Sequence, residues 1–305
     1  MHALLRSAPT YLIALVLLVV ALGACMARFR RRVDTRRRLG PDGVVIGGGP
    51  IDLAGRADAP RLLLLHGGGD TPQTLAYLAR SLAEHGYSVR APLLPGHGRS
   101  LEEFGHVSAD ALYAAVRGAY RELTENGTRV VGVVGLSMGG ALAVQLAADE
   151  PELPALCLLA PYLAMPRGIA LMARLSRLWG PLLPVIPAGG SRSIHDPAQA
   201  AENLAYGAFT PGALRALHDV VMRARAALPR VAAPTLVIQS REDNRIAPHA
   251  TQAAFDALGA HEKRLEWLTG SGHVVTVDYR REQVAADVAA WMDAHLSTTH
   301  AARGR

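Results

Sequence analysis

A chain of 305 residues that is 50% apolar and 19% charged has enough nonpolar side chain for a sizeable core, which excludes a disordered polymer. Its formal charge of +6 is concentrated at one end: residues 1–40 hold eight arginines against Asp34, or +7, leaving −1 for residues 41–305. A near-neutral body without a basic stripe excludes nucleic-acid binding, and two cysteines with no Cys/His cluster at zinc-ligand spacing exclude a disulfide framework and a structural zinc site.

The first feature along the chain is an uninterrupted apolar run from Tyr11 to Ala27, with Arg6 before it and seven arginines soon after it. The run predicts a single membrane anchor, and the positive-inside bias then keeps residues 28–305 on the cytoplasmic side against an anionic membrane surface. Two other readings use the same residues. A cleaved secretory signal lacks a clean small-x-small site, and a lipoprotein signal would use Leu22-Gly23-Ala24-Cys25 with Cys25 as the lipidated residue. The arginine cluster argues against export in both. A true start at Met26 would remove the span altogether.

From about residue 41 short β-like runs alternate with Ala-rich helical stretches, which predicts a mostly parallel sheet flanked by helices. The expected strands are Val44–Ile46, Arg61–His66, Ser88–Leu93, Arg129–Gly135, Ala155–Ala160, Thr235–Gln239 and Arg264–Leu268. The expected helices are Thr74–His85, Ala109–Glu125, Met138–Asp149, His249–Leu258 and Arg281–His295. Runs such as RLLLLH and PTLVIQ are apolar throughout, as strands buried on both faces require. Cys157, inside LPALCLLAPY, reads as a small buried hydrophobe. Residues 163–231 break the alternation with Pro166, Pro181, Pro184, Pro187 and Pro197, Gly189-Gly190 and amphipathic pieces but no strand candidate. They are too long for an ordinary crossover and predict a helical lid inserted in a core made of 41–162 and 232–305. Leu171, Met172, Leu175, Trp179, Leu182 and Leu183 would give this lid an apolar cover for an acyl chain, or else pack it onto the core.

Chemistry concentrates at the ends of strands. Gly135-Leu136-Ser137-Met138-Gly139 joins an apolar β run to an Ala-rich helix, the context in which G-x-S-x-G sets a serine on a sharp strand-to-helix turn. Such a turn needs a positive φ at Ser137 and leaves no room for side chains at 135 or 139. A serine hydroxyl needs a base, and His273 in Gly270-Ser271-Gly272-His273 follows the last strand. His97, in Pro95-Gly96-His97-Gly98, is its one serious rival, disfavoured by chain order. Asp243 follows the strand PTLVIQ and would orient the base, with adjacent Glu242 chemically able to substitute. An oxyanion would be met by the backbone N–H of Met138 and by one from His66-Gly67-Gly68-Gly69, for which Gly68 is the choice and Gly69 the alternative. HGGGD as a phosphate cradle lacks any matching register.

These motifs, with PGHG, the S-x-x-D-x-x-I-x-P stretch Ser240–Pro248 and SGHVVTVDYRREQVAADVAAWM, resemble bacterial carboxylesterases and monoacylglycerol-lipase-like hydrolases over roughly residues 43–297. The resemblance implies the α/β-hydrolase fold, a Ser137–Asp243–His273 triad, oxyanion donors at Gly68 and Met138, and a short lid at 163–231. It implies a serine carboxylesterase acting through an acyl-enzyme on a small ester or lipid, monoacylglycerols or medium-chain esters included, without metal or cofactor. Gly68, where the family carries an aromatic or aliphatic residue, and the basic N-terminal segment depart from the pattern. A thioesterase, amidase or perhydrolase on the same fold is the alternative chemistry, and a catalytically silent interaction module the alternative class.

Overall fold

A computed structural model of the chain describes residues 2–56, 59–124, 131–188 and 193–303. In chain order, helix α1 (His2–Arg36) is followed by β1 (Ile51–Leu53), β2 (Arg61–Leu65), α2 (Ala76–Glu84), β3 (Ser88–Ala91), α3 (Leu101–Gly105), α4 (Ala109–Thr124), β4 (Val131–Leu136), α5 (Met138–Asp149) and β5 (Leu156–Leu159). Then come α6 (Arg167–Arg174), α7 (Ser176–Trp179), β6 (Ile186–Pro187), α8 (Pro197–Glu202), β7 (Ala208–Phe209) and α9 (Pro211–Ala227). The chain closes with β8 (Thr235–Ser240), α10 (Pro248–Asp256), β9 (Lys263–Leu268) and α11 (Arg281–Arg303).

The main sheet runs β1-β3-β2-β4-β5-β8-β9, with β1 antiparallel to β3 and every other pair parallel. Because parallel strands need crossovers, helices cover both faces, and β4, β5 and β8 are buried at every position. The side chains still alternate. Leu63, Leu65, Val133, Leu156, Leu158 and Val237 face a core shared with α4, α5 and α9. Leu62, Leu64, Val134, Leu136, Cys157, Leu159, Leu236 and Ile238 face a second core under α2 and α11. Cys157 is fully buried there, as expected, and burial pushes its thiol well above the usual range. The chain leaves β2 for β3 on one side and later returns to β4 on the other. The carboxyl ends of β2 and β4 therefore part at a topological switch point, where α/β sheets open a crevice.

The expected strands from β2 onward form with boundaries shifted by a residue or two, and positions 129 and 130 of the fourth lie outside the described residues. Val44–Ile46 is not a strand. It makes a lone bridge, Val45 to Leu39, because left-handed Gly43 and Gly47 turn the chain on either side of it. The antiparallel edge is β1 instead. Helix α3 was not anticipated, although its capping box is in the sequence: Ser100 Oγ accepts from the Glu103 N–H and the Glu103 carboxylate accepts from the Ser100 N–H. Residues 163–231 contain helices but also the antiparallel pair β6–β7, two-residue strands too short to leave a periodic pattern. Gly189-Gly190 lie outside the described residues. Helix α9 packs its buried face, including Ala213, Leu217, Val220, Val221 and Ala224, as part of the core beside α5.

The expected anchor is not supported. Among the described residues no helix is long and apolar enough to cross a membrane. The apolar run occupies part of α1, but 17 residues from Tyr11 to Ala27 rise only about 26 Å against a hydrocarbon core of about 30 Å. The topology deduced from its flanking arginines loses its premise with it. Further along α1 the chain meets the body: Phe29 and Val33 pack on the core, Arg30 pairs with Glu102 at 3.1 Å, and Asp34 Oδ1 accepts from the Leu101 N–H. Beyond the helix, the Arg37 guanidinium lies 3.8 Å from the centre of the Tyr206 ring.

Candidate active site

The turn between β4 and α5 is built as the glycines require. Ser137 has φ 54° and ψ −116°, a conformation an L-residue holds only when its surroundings impose it. They do so through the backbone: the Ser137 N–H donates to the Leu159 carbonyl at 2.9 Å, and its carbonyl accepts from Tyr162 at 3.0 Å. A Cβ on Gly139 would stand 2.1 Å from the Leu65 carbonyl oxygen, and one on Gly135 would stand 2.5 Å from that of Gly139. Only glycine fits at either place.

His273 Nε2 lies 2.8 Å from Ser137 Oγ, and its Nδ1 lies 2.7 Å from Asp243 Oδ2. Asp243 Oδ2 also accepts from the Gln239 side-chain amide at 2.7 Å, while Oδ1 accepts the backbone N–H groups of Arg245 and Ile246 at 2.6 and 3.0 Å. Burial pushes the Asp243 carboxyl upward, but the His273 ring and the two backbone donors outweigh it and hold the group below its ordinary value. An ionised carboxylate against Nδ1 fixes the tautomer that leaves Nε2 free to accept the serine proton. The rivals sit elsewhere. Glu242 is exposed and accepts from the Gly270 N–H at 2.8 Å. His97 is buried between His66 and Phe104, where burial lowers it to about 4, a neutral core histidine.

Gly68 faces the start of α5: a Cβ there would stand 3.2 Å from Met138 Sδ. The Met138 N–H opens the helix and has no acceptor within it. Both residues line one cleft with Ser137 and His273. Gly69 has φ +74°, and its carbonyl accepts from the Tyr206 N–H at 3.0 Å. The cleft measures about 820 Å³, counting space open to solvent, with walls that include Leu136, Met138, Phe209, Leu217 and Val274. The expected apolar stripe does not form its roof. Leu171, Met172, Leu175 and Leu182 are exposed, and none of the six stripe residues lines the cleft; that cover comes from Ala205, Ala208 and Phe209 instead.

Several site residues carried no local sequence signal. Asp70, at the end of HGGGD, is buried in the cleft wall, and burial pushes its carboxyl up to about 7 against the hydrogen bonds of Thr71 and Thr74. Asp278 is fully buried and accepts four backbone N–H groups, from His195, Asp196, Gly272 and Tyr279, which ties the His273 loop to the segment before α8. Tyr206 stacks on Phe104 and its hydroxyl accepts from the Arg99 N–H. Arg245 enters the cleft beside Ser193. The contacts that bring Asp278 to His195, Tyr206 to Phe104 and Arg245 to Ser193 are remote in the chain, so periodicity could not reveal them. Among the described residues no group of three or more His, Cys, Asp or Glu is arranged to hold a metal ion.

A family described as "Serine aminopeptidase, S33" matches residues 58–280. A carboxylesterase of Bacillus subtilis is 29% identical over 233 residues, 74% of this chain and 89% of the relative. A thermostable monoacylglycerol lipase of Bacillus sp. is 30% identical over 223 residues, 73% of this chain and 86% of the relative. Among solved structures, a metagenome-derived lipolytic enzyme superposes with TM-score 0.74 at 31% identity, covering 85% of this chain and all (100%) of that one. A Saccharomyces cerevisiae monoglyceride lipase variant shares the fold at TM-score 0.70 and 14% identity, covering 81% and 91% of the two chains.

Proposed function

The chain belongs to the α/β-hydrolase family described as "Serine aminopeptidase, S33", and on that premise we propose that it is a serine hydrolase of carboxylic esters working through an acyl-enzyme. The observation that carries this reading is the unbroken relay from Ser137 Oγ through His273 to Asp243, at 2.8 and 2.7 Å. Ser137 attacks the ester carbonyl as His273 Nε2 takes its proton, and Asp243 holds the imidazolium so formed. The oxyanion is met by the backbone N–H groups of Met138 and Gly68. The protonated His273 then gives its proton to the departing alcohol. It next removes one from water, whose oxygen attacks the acyl-enzyme, and returns that proton to Ser137 Oγ as the acyl–oxygen bond breaks and the acid leaves. Within segment 163–231, the stretch from Asn203 to Phe209 covers this cleft, while α9 belongs to the core.

The apolar walls and the likeness to a carboxylesterase and a monoacylglycerol lipase support small or medium-chain acyl esters as substrates. An aminopeptidase reading fits less well. A substrate α-ammonium needs an uncompensated carboxylate, whereas Asp70 is pushed toward neutrality and the cleft carries the Arg245 guanidinium. The intact protein should be labelled by a fluorophosphonate probe, and Ser137→Ala should lose both labelling and p-nitrophenyl ester turnover. Turnover retained by Ser137→Ala refutes the assignment.

A further inference from the structure

The cleft holds one feature that ester hydrolysis itself does not use. Arg245 is the only lysine or arginine among the described residues lining it. Its backbone N–H serves Asp243, but its guanidinium does not: no carboxylate among the described residues forms an ion pair with it. One donor, Nε, is fixed by the buried Ser193 Oγ at 3.1 Å, and that hydroxyl donates in turn to Asn244 Oδ1 at 3.1 Å. The Ser193 carbonyl accepts from the Val274 N–H at 2.9 Å, which locks this bracket to the residue after His273. Tyr162, whose N–H donates to the Ser137 carbonyl, is near enough that the Arg245 charge offsets part of the upward push of burial on its phenol.

The side chain is thus held at Nε, and Arg245 lines the same apolar-walled cleft as Ser137. A guanidinium fork in that position matches a planar carboxylate, and low-dielectric walls strengthen such a pair. We propose that Arg245 is a specificity-determining residue that selects esters carrying a carboxylate remote from the scissile bond. The inference rests on the ester-hydrolase reading and narrows its substrate class. The bound anion would neutralise a cation that the protein leaves unpaired, while the chain between carboxylate and ester lies along the apolar wall.

The test uses the full chain and three sets of ethyl or short acyl esters followed by pH-stat. One set is monoethyl esters of dicarboxylic acids of graded length, with the carboxylate on the acid side. The second is butyryl esters of ω-hydroxy acids, with the carboxylate on the alcohol side. The third is neutral esters of matched length. Wild type is expected to favour one anionic set over the neutral set in kcat/KM by about tenfold or more, with the favoured set showing which side faces Arg245. Arg245→Gln should erase that ratio and Arg245→Lys should keep part of it, and raising the ionic strength should shrink it in wild type. Equal turnover of neutral and anionic esters by wild type, or a ratio unchanged in folded Arg245→Gln, overturns this inference alone. No hydrolysis of any ester overturns the esterase reading and this inference with it.

Discussion

Replacing Asp70 by Asn should stabilise the protein at alkaline pH, an unusual direction for a residue in an active-site wall. Asp70 is 7% exposed, and burial lifts its carboxyl from 3.8 in an unfolded chain to about 7. Between those values the folded protein holds a proton that the unfolded chain has released. Stability therefore falls as pH rises from about 4 to about 7, and the full penalty is present above that. Three pKa units at about 1.4 kcal/mol each set a ceiling of about 4 kcal/mol, and water entering from the cleft brings the expected penalty to about 2–4 kcal/mol. Asparagine keeps an oxygen for the Thr71 N–H, 3.2 Å away, and carries no charge. Thermal melts of wild type and Asp70→Asn at pH 5 and pH 8 should differ by roughly 4–8 °C at the higher pH, on a scale of about 2 °C per kcal/mol, and by about half of that or less at the lower. A wild-type melting temperature that follows the same pH curve as the variant refutes the argument, as does a variant that melts lower at pH 8.

Three further substitutions probe the site's construction. Gly139→Ala would set a methyl group 2.1 Å from the Leu65 carbonyl oxygen, with backbone on both sides of the clash. It should lower stability by about 4 kcal/mol or more in urea unfolding, and a loss under 1 kcal/mol would contradict the close approach. Asp278→Asn leaves four backbone N–H groups with a single acceptor oxygen. The expected loss is about 2–4 kcal/mol, with kcat reduced because the His273 loop loosens; stability and kcat both at wild-type values would count against it. Asp243→Asn keeps the shape but not the charge that fixes the His273 tautomer, so kcat should fall by about a thousandfold or more. A stopped-flow ester assay showing less than a tenfold fall would move the orienting role elsewhere.

What the sequence made legible follows from how local each determinant is. The G-x-S-x-G turn, the two-sided apolar strands and the place of Ser137, Asp243 and His273 each just after a strand depend on residues near in the chain, and the structure brings those three side chains together. Asp243 and Glu242 differ in which way the strand end turns them: Asp243 Oδ2 lies 2.7 Å from His273 Nδ1, whereas Glu242 accepts from the Gly270 N–H. Residues 163–231 were harder. Two-residue strands have no period to detect, and the apolar stripe of that segment lies exposed rather than over the cleft. Val44 and Val45 are buried as a strand would be, yet glycine turns on both sides deny them a partner strand. The apolar run of α1 sits at the short end of what spans a bilayer, and no helix among the described residues is long and apolar enough to cross one.

The same locality explains how distant residues are brought into register. Beyond the ends of the central strands the parallel ladder continues for one further bond each time. Ser137 N–H donates to Leu159, Ala160 N–H donates to Ile238, and Arg241 N–H donates to Leu268. These bonds tie the first residue after β4, β5 and β8 to the neighbouring strand, so the turns that lead to Ser137, Asp243 and His273 start from a fixed sheet edge. The positive φ values of Ser137 and Ala160, 54° and 41°, both fall on residues whose N–H makes one of these bonds. Backbone strain at the nucleophile is therefore opposed by the sheet itself. A one-residue slip between β5 and β8 would move Asp243 by about 3.3 Å and turn its side chain to the other face, breaking the 2.7 Å contact with His273. Fully apolar strands buried on both faces would tolerate such a slip by hydrophobicity alone. The row of bonds at the carboxyl edge, the glycine clearances at 135 and 139 and the buried anchor of Asp278 are what forbid it.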